Sequence, residues 1–191
     1  MEKHIDCDVD IETDSDYRWK YNQISLHFTE KVLDIGCGDG RICKLSKKWY
    51  GIDIKKDINF DESVNDRFNI GSVLDIPYCD NEFDGVIISH VLEHIDQKNV
   101  GLAINEIVRV VKEGGFVMVY SPNPFSAYFH NTIGHINCMS LFCMRREFEK
   151  IGCETIYMGY SIWRRLHWKL QKMLHLFFPY IPSEYYIKFR K

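Results

Sequence analysis

Residues capable of chemistry are unevenly spread along this chain, and the densest run is Val32-Leu33-Asp34-Ile35-Gly36-Cys37-Gly38-Asp39-Gly40. It reads as an apolar strand carrying a carboxylate, then a glycine-rich turn, then the polar-apolar pattern of a helix from Arg41 to Lys48. Glycine permits positive φ and lets the main chain approach a ligand closely, so a strand-turn-helix unit of this kind holds a nucleotide-like ligand against backbone. The dinucleotide fingerprint requires a third glycine three residues after the second, and that position is Arg41. A pyrophosphate would also face Asp34 and Asp39, whose charges oppose the attraction of a helix N-terminus for anions. A ligand with an ammonium group and no phosphate suits the turn better.

With that turn the chain resembles the class I S-adenosylmethionine-dependent methyltransferases, in particular the small-molecule, methyltransferase-11-like type, whose first motif has this Asp-x-Gly-x-Gly-x-Gly form. The resemblance implies S-adenosylmethionine as cofactor, with Asp34 holding its amino acid end and Gly36, Cys37 and Gly38 offering backbone. Asp53, followed by Ile54, closes the second apolar stretch, where a carboxylate can accept both ribose hydroxyls as it does in dinucleotide folds. Gly71 to Tyr78 resembles the family segment between the third and fourth strands, which usually carries an acid directly after the glycine. Here that residue is Ser72. Adenine recognition is left to the Ser72 hydroxyl, to the backbone of Val73 and Leu74, or to Asp75. Ser89 and His90 stand where the family lines the methionine end of the cofactor. The chain lacks the Asn/Asp-Pro-Pro-aromatic motif of amino-directed nucleic-acid and protein methyltransferases, which argues against those acceptors.

Methyl transfer from a sulfonium is an in-line displacement whose leaving group needs no proton. Proximity and orientation can supply roughly 7–11 kcal/mol of such a barrier, and a base is needed only if the acceptor is a hydroxyl. The candidates are Glu93, His94, His130 and His135. Histidine titrates near neutrality, and Gly134-His135-Ile136-Asn137 resembles a loop near the acceptor in members acting on sugars and small metabolites, which puts His135 first. The spacings of His130, His135, Cys138 and Cys143 match no zinc pattern, so no metal is expected.

The elements that position these residues follow from the hydrophobic pattern. Apolar strands are expected at Lys31 to Ile35, Tyr50 to Ile54, Phe68 to Ile70, Phe83 to Ser89, Phe116 to Tyr120 and Cys153 to Tyr160, with Tyr185 to Arg190 alternating like an edge strand. Helices are expected at Tyr17 to Phe28, Arg41 to Lys48, Gln97 to Lys112 (stopped by Gly114-Gly115) and Arg145 to Ile151. Continuous apolar strands separated by helices indicate a parallel sheet covered on both sides. The resemblance adds the count: an α/β, Rossmann-like three-layer sandwich whose seven-stranded, mostly parallel sheet has an antiparallel last strand. The expected organisation is an acidic tail and short helix over 1–30 and a methyltransferase domain over 31–191. An amphipathic insertion over 161–182 is expected between the last two strands.

At 191 residues, with 46% hydrophobic and 27% charged residues, the composition is that of one globular domain. An acidic N-terminus without an apolar core resembles no signal peptide, and seven cysteines without a Cys-x-x-Cys pair fit a reducing compartment, so a cytoplasmic location is expected. A net charge of −3 argues against nucleic acid as partner. The basic amphipathic stretch 163–178 fits a helix on the core, a wall of the acceptor pocket or a peripheral membrane contact. Two functions are compatible with these features: an active methyltransferase on a small-molecule or glycan/lipid-precursor acceptor, and a catalytically silent scaffold of the same fold. The intact first motif and Asp53 favour the former; Ser72 leans toward the latter.

Overall fold

The computed structural model describes residues 30–125, 134–137, 139–161 and 184–191. Seven strands form one sheet: β1 (Val32–Ile35), β2 (Trp49–Asp53), β3 (Phe68–Ile70), β4 (Phe83–Ser89), β5 (Val111–Pro122), β6 (Glu154–Ser161) and β7 (Glu184–Arg190). Their order across the sheet is β3-β2-β1-β4-β5-β7-β6. Pairs from β3 through β5 are parallel, and β7 runs antiparallel to both β5 and β6. This is the Rossmann-like seven-stranded architecture expected from the sequence.

Alternation along the strands divides the core into two faces. Val86 and Ile88 of β4 and Val117 and Val119 of β5 pack on one side, while Ile87, Met118 and Tyr120 pack on the other. Two described helices, α1 (Val100–Val110) and α2 (Leu141–Lys150), bury Ala103, Ile104, Ile107, Met144 and Phe148 against the first face. A Ser140 hydroxyl accepting the Cys143 amide starts α2. Residues 1–29 and 162–183 lie outside the described residues, and with them the Tyr17 to Phe28 helix, the acidic tail and most of the amphipathic stretch. Among the described residues, no helix is long and apolar enough to cross a membrane.

Three local expectations need correction. The segment Arg41 to Lys48 is not a helix but a single 3-10 turn at Cys43–Leu45. Glycines 36, 38 and 40 all have positive φ, and the few residues left before β2 are too short to offset helix nucleation. The carbonyls of Cys43, Ser46 and Trp49 instead share the two protons of one Arg67 guanidinium nitrogen. Second, α1 ends at Val110 and β5 already begins at Val111, because residues 111–115 continue the strand through an irregular register opposite Phe83 and Gly85. Third, β7 is interior rather than an edge. Its alternating Tyr185, Ile187 and Phe189 are fully buried between β5 and β6, and β6 takes the edge. β6 also extends to Ser161, which pairs with Glu184, so the first residue assigned to the insertion belongs to the sheet.

Candidate functional site

The carboxyl ends of β1, β2, β3 and β4 converge on one edge of the sheet, the place where open α/β sheets gather ligands. The turn after β1 is fastened from below by β2: the amides of Gly36 and Cys37 donate to the Ile52 carbonyl at 2.8 and 3.1 Å. Asp53 at the end of β2 reaches back into the turn, one carboxylate oxygen accepting the Gly38 amide at 3.0 Å. The first motif and the second-strand acid thus form one unit. Gly36 and Gly38 differ in what surrounds them. A Cβ on Gly36 would stand 2.3 Å from Val91 Cγ2, whereas one on Gly38 would meet no protein atom within 4 Å. Gly36 is packed; Gly38 presents bare backbone, with φ of 54°.

Asp34 is 2% exposed, enclosed in the sheet beside Gly51 and Ile87. The Cys37 side chain turns inward to Cys43, and a hydrogen bond with Cys37 and then burial push the Cys43 thiol well above its ordinary pKa. Both sulfurs occupy the space left by Gly51, where a Cβ would meet them at 2.7 and 2.9 Å. Cys37 therefore has only main chain to offer a ligand.

After β3, the Ser72 hydroxyl accepts the Leu74 amide at 3.1 Å, and Asp75 donates its amide to the Ser72 carbonyl at 3.0 Å. Val73 is buried in the core, so it offers backbone alone. Ile54, by contrast, is 72% exposed directly beyond Asp53 and presents an aliphatic face there.

After β4 the chain turns sharply. Ser89 is the last residue of the strand, and His90 adopts φ of 56°, a left-handed conformation that few non-glycine residues adopt, asparagine, aspartate and histidine most readily, while donating its amide to the Tyr120 carbonyl. The His90 ring lies between two carboxylates: Nδ1 is 3.2 Å from Glu93 Oε1 and Nε2 is 2.8 Å from Glu184 Oε2. Both ring nitrogens can donate only as imidazolium. Val91 then packs against Gly36, joining this segment to the glycine turn.

The segment 134–137 closes over Glu93. The amides of Ile136 and Asn137 donate to the Glu93 carbonyl at 2.9 and 3.0 Å, and the Asn137 side-chain amide donates to Leu92. His94 Nδ1 pairs with the Gly134 carbonyl at 2.9 Å, its ring centroid lies 5.0 Å from that of His135, and His135 Nε2 is 4.0 Å from Glu93 Oε1. One ligand atom from each of Glu93, His94 and His135 falls within 4.8 Å of the others. Glu93 Oε2 and Asn137 Oδ1 are buried without a hydrogen-bond partner among the described residues.

The fold thus brings together two groups, Gly36, Gly38 and Asp53 on one side and His90, Glu93, His94 and His135 on the other, with Val91 between them. Ser72 and Leu74 lie along the same edge but are engaged with each other. His130 and Cys138 lie outside the described residues. Glu184 was missed in the sequence because it comes from β7, 94 positions away from His90, and only the antiparallel return of that strand brings it near. Asn137 and Val91 carried no signal beyond their places in short segments.

The methyltransferase domain family matches residues 33–119. An uncharacterised protein of Methanocaldococcus jannaschii is 30% identical over 128 residues, covering 66% of this chain and 56% of that protein. The norajmaline N-methyltransferase of Rauvolfia serpentina is 32% identical over 108 residues, covering 48% of this chain and 36% of that enzyme. The chain spans less than two thirds of the length of either relative. Among solved structures, an S-adenosylmethionine-dependent methyltransferase from Archaeoglobus fulgidus superposes with a TM-score of 0.72 at 21% identity, covering 91% of this chain and 92% of that one. That likeness is one of fold.

Proposed function

We propose that this chain, which has the methyltransferase fold and matches the methyltransferase domain family over residues 33–119, transfers a methyl group from S-adenosylmethionine to a small-molecule acceptor. The observation that carries the reading is the Gly38-Asp53 unit, in which backbone with nothing beside it meets a carboxylate at the end of β2. That pairing fits a ligand with vicinal hydroxyls lying on main chain, with no phosphate to be repelled by Asp34 and Asp39. Bound cofactor supplies a methyl group on a positively charged sulfur, which leaves without protonation.

In this reading Asp53 holds the ribose hydroxyls, Ile54 offers its exposed side chain to the adenine, and Gly36, Cys37 and Gly38 give main-chain contacts. The Leu74 amide is already donated to Ser72 Oγ, so adenine recognition falls to the Val73 backbone and to the Ser72 hydroxyl, which keeps a second lone pair and its proton. Asp34, Ser89 and His90 bound the methionine end. Glu93, His94 and His135 face the acceptor and take up its proton where it has one to lose.

The test is transfer of isotopically labelled methyl from S-adenosylmethionine across a panel of hydroxylated and amine metabolites, with cofactor affinity measured by calorimetry. Labelled product with micromolar-range cofactor binding, about −8 kcal/mol, is the expected result. Tight cofactor binding without turnover on any acceptor would favour the silent scaffold, for which the replacement of the usual acid by Ser72 is the supporting feature.

A further inference from the structure

We propose that Glu93, His94 and His135 bind a divalent transition-metal ion of the zinc class. The three residues come from two segments that the sequence separates by some forty positions, which is why no metal spacing is visible along the chain. In the folded protein one donor atom of each lies within 4.8 Å of the others. Ligands about 2.0–2.1 Å from a tetrahedral zinc stand about 3.4 Å apart, so small side-chain rotations close the gap.

Three features of the surroundings point to an ion rather than to an ordinary hydrogen-bond cluster. His94 Nδ1 donates to the Gly134 carbonyl at 2.9 Å, which places the ring lone pair on Nε2. A backbone carbonyl on one nitrogen, with the other nitrogen left for the ion, is the usual arrangement of a metal-ligating histidine. The Glu93 carboxylate is oriented in the same way, since Oε1 is held by His90 Nδ1. Its other oxygen, Oε2, is buried with no hydrogen-bond partner among the described residues, and so is the neighbouring Asn137 Oδ1. Buried polar atoms are nearly always satisfied by a donor or a cation, and a cation held by the two imidazoles would meet that need. Two imidazoles and one carboxylate match the donor preference of zinc and of iron or cobalt in the same oxidation state, not that of magnesium or calcium.

Three protein donors leave at least one coordination position open, as in catalytic rather than structural metal sites. Resting on the methyl-transfer reading, that position suits an acceptor whose attacking atom is a hydroxyl oxygen, which an ion would orient and acidify so that its proton goes to solvent, in place of proton uptake by the three side chains that hold the ion. Metal binding itself does not depend on that reading.

The experiment uses the full chain, stripped with chelator and titrated with Zn2+ and then with Co2+, alongside His94→Ala and His135→Ala. His94 is exposed, so its variant is expected to fold even if His135→Ala does not, and circular dichroism checks each. The expected result is one equivalent of Zn2+, at least tenfold weaker in His94→Ala. The Co2+ form should show ligand-field bands of a nitrogen and oxygen site without a thiolate charge-transfer band. Binding well below one equivalent, undiminished affinity in His94→Ala, or a thiolate band from the cysteines would each overturn the proposal. Calorimetry with S-adenosylhomocysteine on the same preparation separates the two readings: cofactor binding without metal refutes only the metal site, and metal binding without cofactor refutes only the proposed activity.

Discussion

Gly36 and Gly38 have similar backbone conformations but opposite surroundings, and that difference is testable. Both adopt positive φ, which costs an alanine about 1–2 kcal/mol. At Gly36 the new Cβ also strikes the stiff Val91 side chain, adding about 1–3 kcal/mol of overpacking. Gly36→Ala should therefore lower stability by roughly 2–5 kcal/mol in urea titration. Gly38→Ala should cost only the conformational part and instead weaken S-adenosylhomocysteine binding, since its Cβ fills the backbone cradle. Equal unfolding midpoints for the two variants would refute the packing described at Gly36. Asp53→Ala removes both the proposed ribose contact and the Gly38 tether, and should weaken cofactor binding by about 1.5–3 kcal/mol, the range for hydrogen bonds to a charged group. Unchanged calorimetric affinity in a folded variant would make Asp53 a loop tether alone. At this scale the first half of the site was legible in the sequence because Asp34, Gly36 and Gly38 are neighbours and Asp53 ends the next strand. In the second half the residue types were legible but not their meeting: Glu93 and His135 join only through main-chain bonds across a loop, and Glu184 only through β7.

The elements are held in register by side chains that local patterns do not reveal. Arg109 on α1 donates to the carbonyls of Ile76 and Tyr78 and to Asp80 and Glu106, while Glu106 accepts the Ile76 amide. This clamp fastens the helix to the segment leading from the carboxyl end of β3 into β4. Arg109→Met should cost about 1.5–3 kcal/mol by leaving those acceptors without a charged donor. The effect should depend on pH. The Arg109 guanidinium holds the Glu106 carboxyl below its usual range, so the stability this pair contributes is present above the unfolded glutamate pKa of about 4.3 and is lost as pH falls through the lowered folded value. The difference in unfolding free energy between wild type and Arg109→Met should narrow between about pH 5 and pH 3; a constant difference would show that the pair carries no charge-dependent stability. The strands were readable as apolar runs, but their neighbours were not. Alternation in β7 suggested an edge because period-two patterning marks one buried face without saying what lies beside the strand, and pairing on both sides hides Tyr185, Ile187 and Phe189 equally well. The segment after the glycine turn has helical periodicity that too few residues and the competing Arg67 donor override.

For the molecule as a whole, ligand choice follows from the combined charge and shape of the sheet edge. Asp34, Asp39 and Asp53 gather at the carboxyl ends of β1 and β2, and Asp39 is turned toward Arg41, which pairs with it at 2.7 Å where the dinucleotide fingerprint would have its third glycine. A dinucleotide would bring two phosphates to this acidic edge and meet a side chain where its fold needs none; a sulfonium nucleoside brings positive charge and two ribose hydroxyls. Binding to the native state alone raises stability by mass action, about 2.7 kcal/mol at a ligand concentration one hundred times Kd. For a domain of this size each kcal/mol is worth about 2–4 °C. With micromolar-range affinity, saturating S-adenosylhomocysteine should raise the Tm by roughly 5–11 °C, while the same concentration of NAD should leave it unchanged. The shift should shrink in Asp53→Ala in proportion to its lost affinity and survive in His94→Ala, whose described contacts are with Gly134 and His135 and not with the glycine turn. A Tm that rises with NAD and not with S-adenosylhomocysteine would mean that the glycine turn reads phosphate after all, and the assignment of the whole edge would have to be reversed.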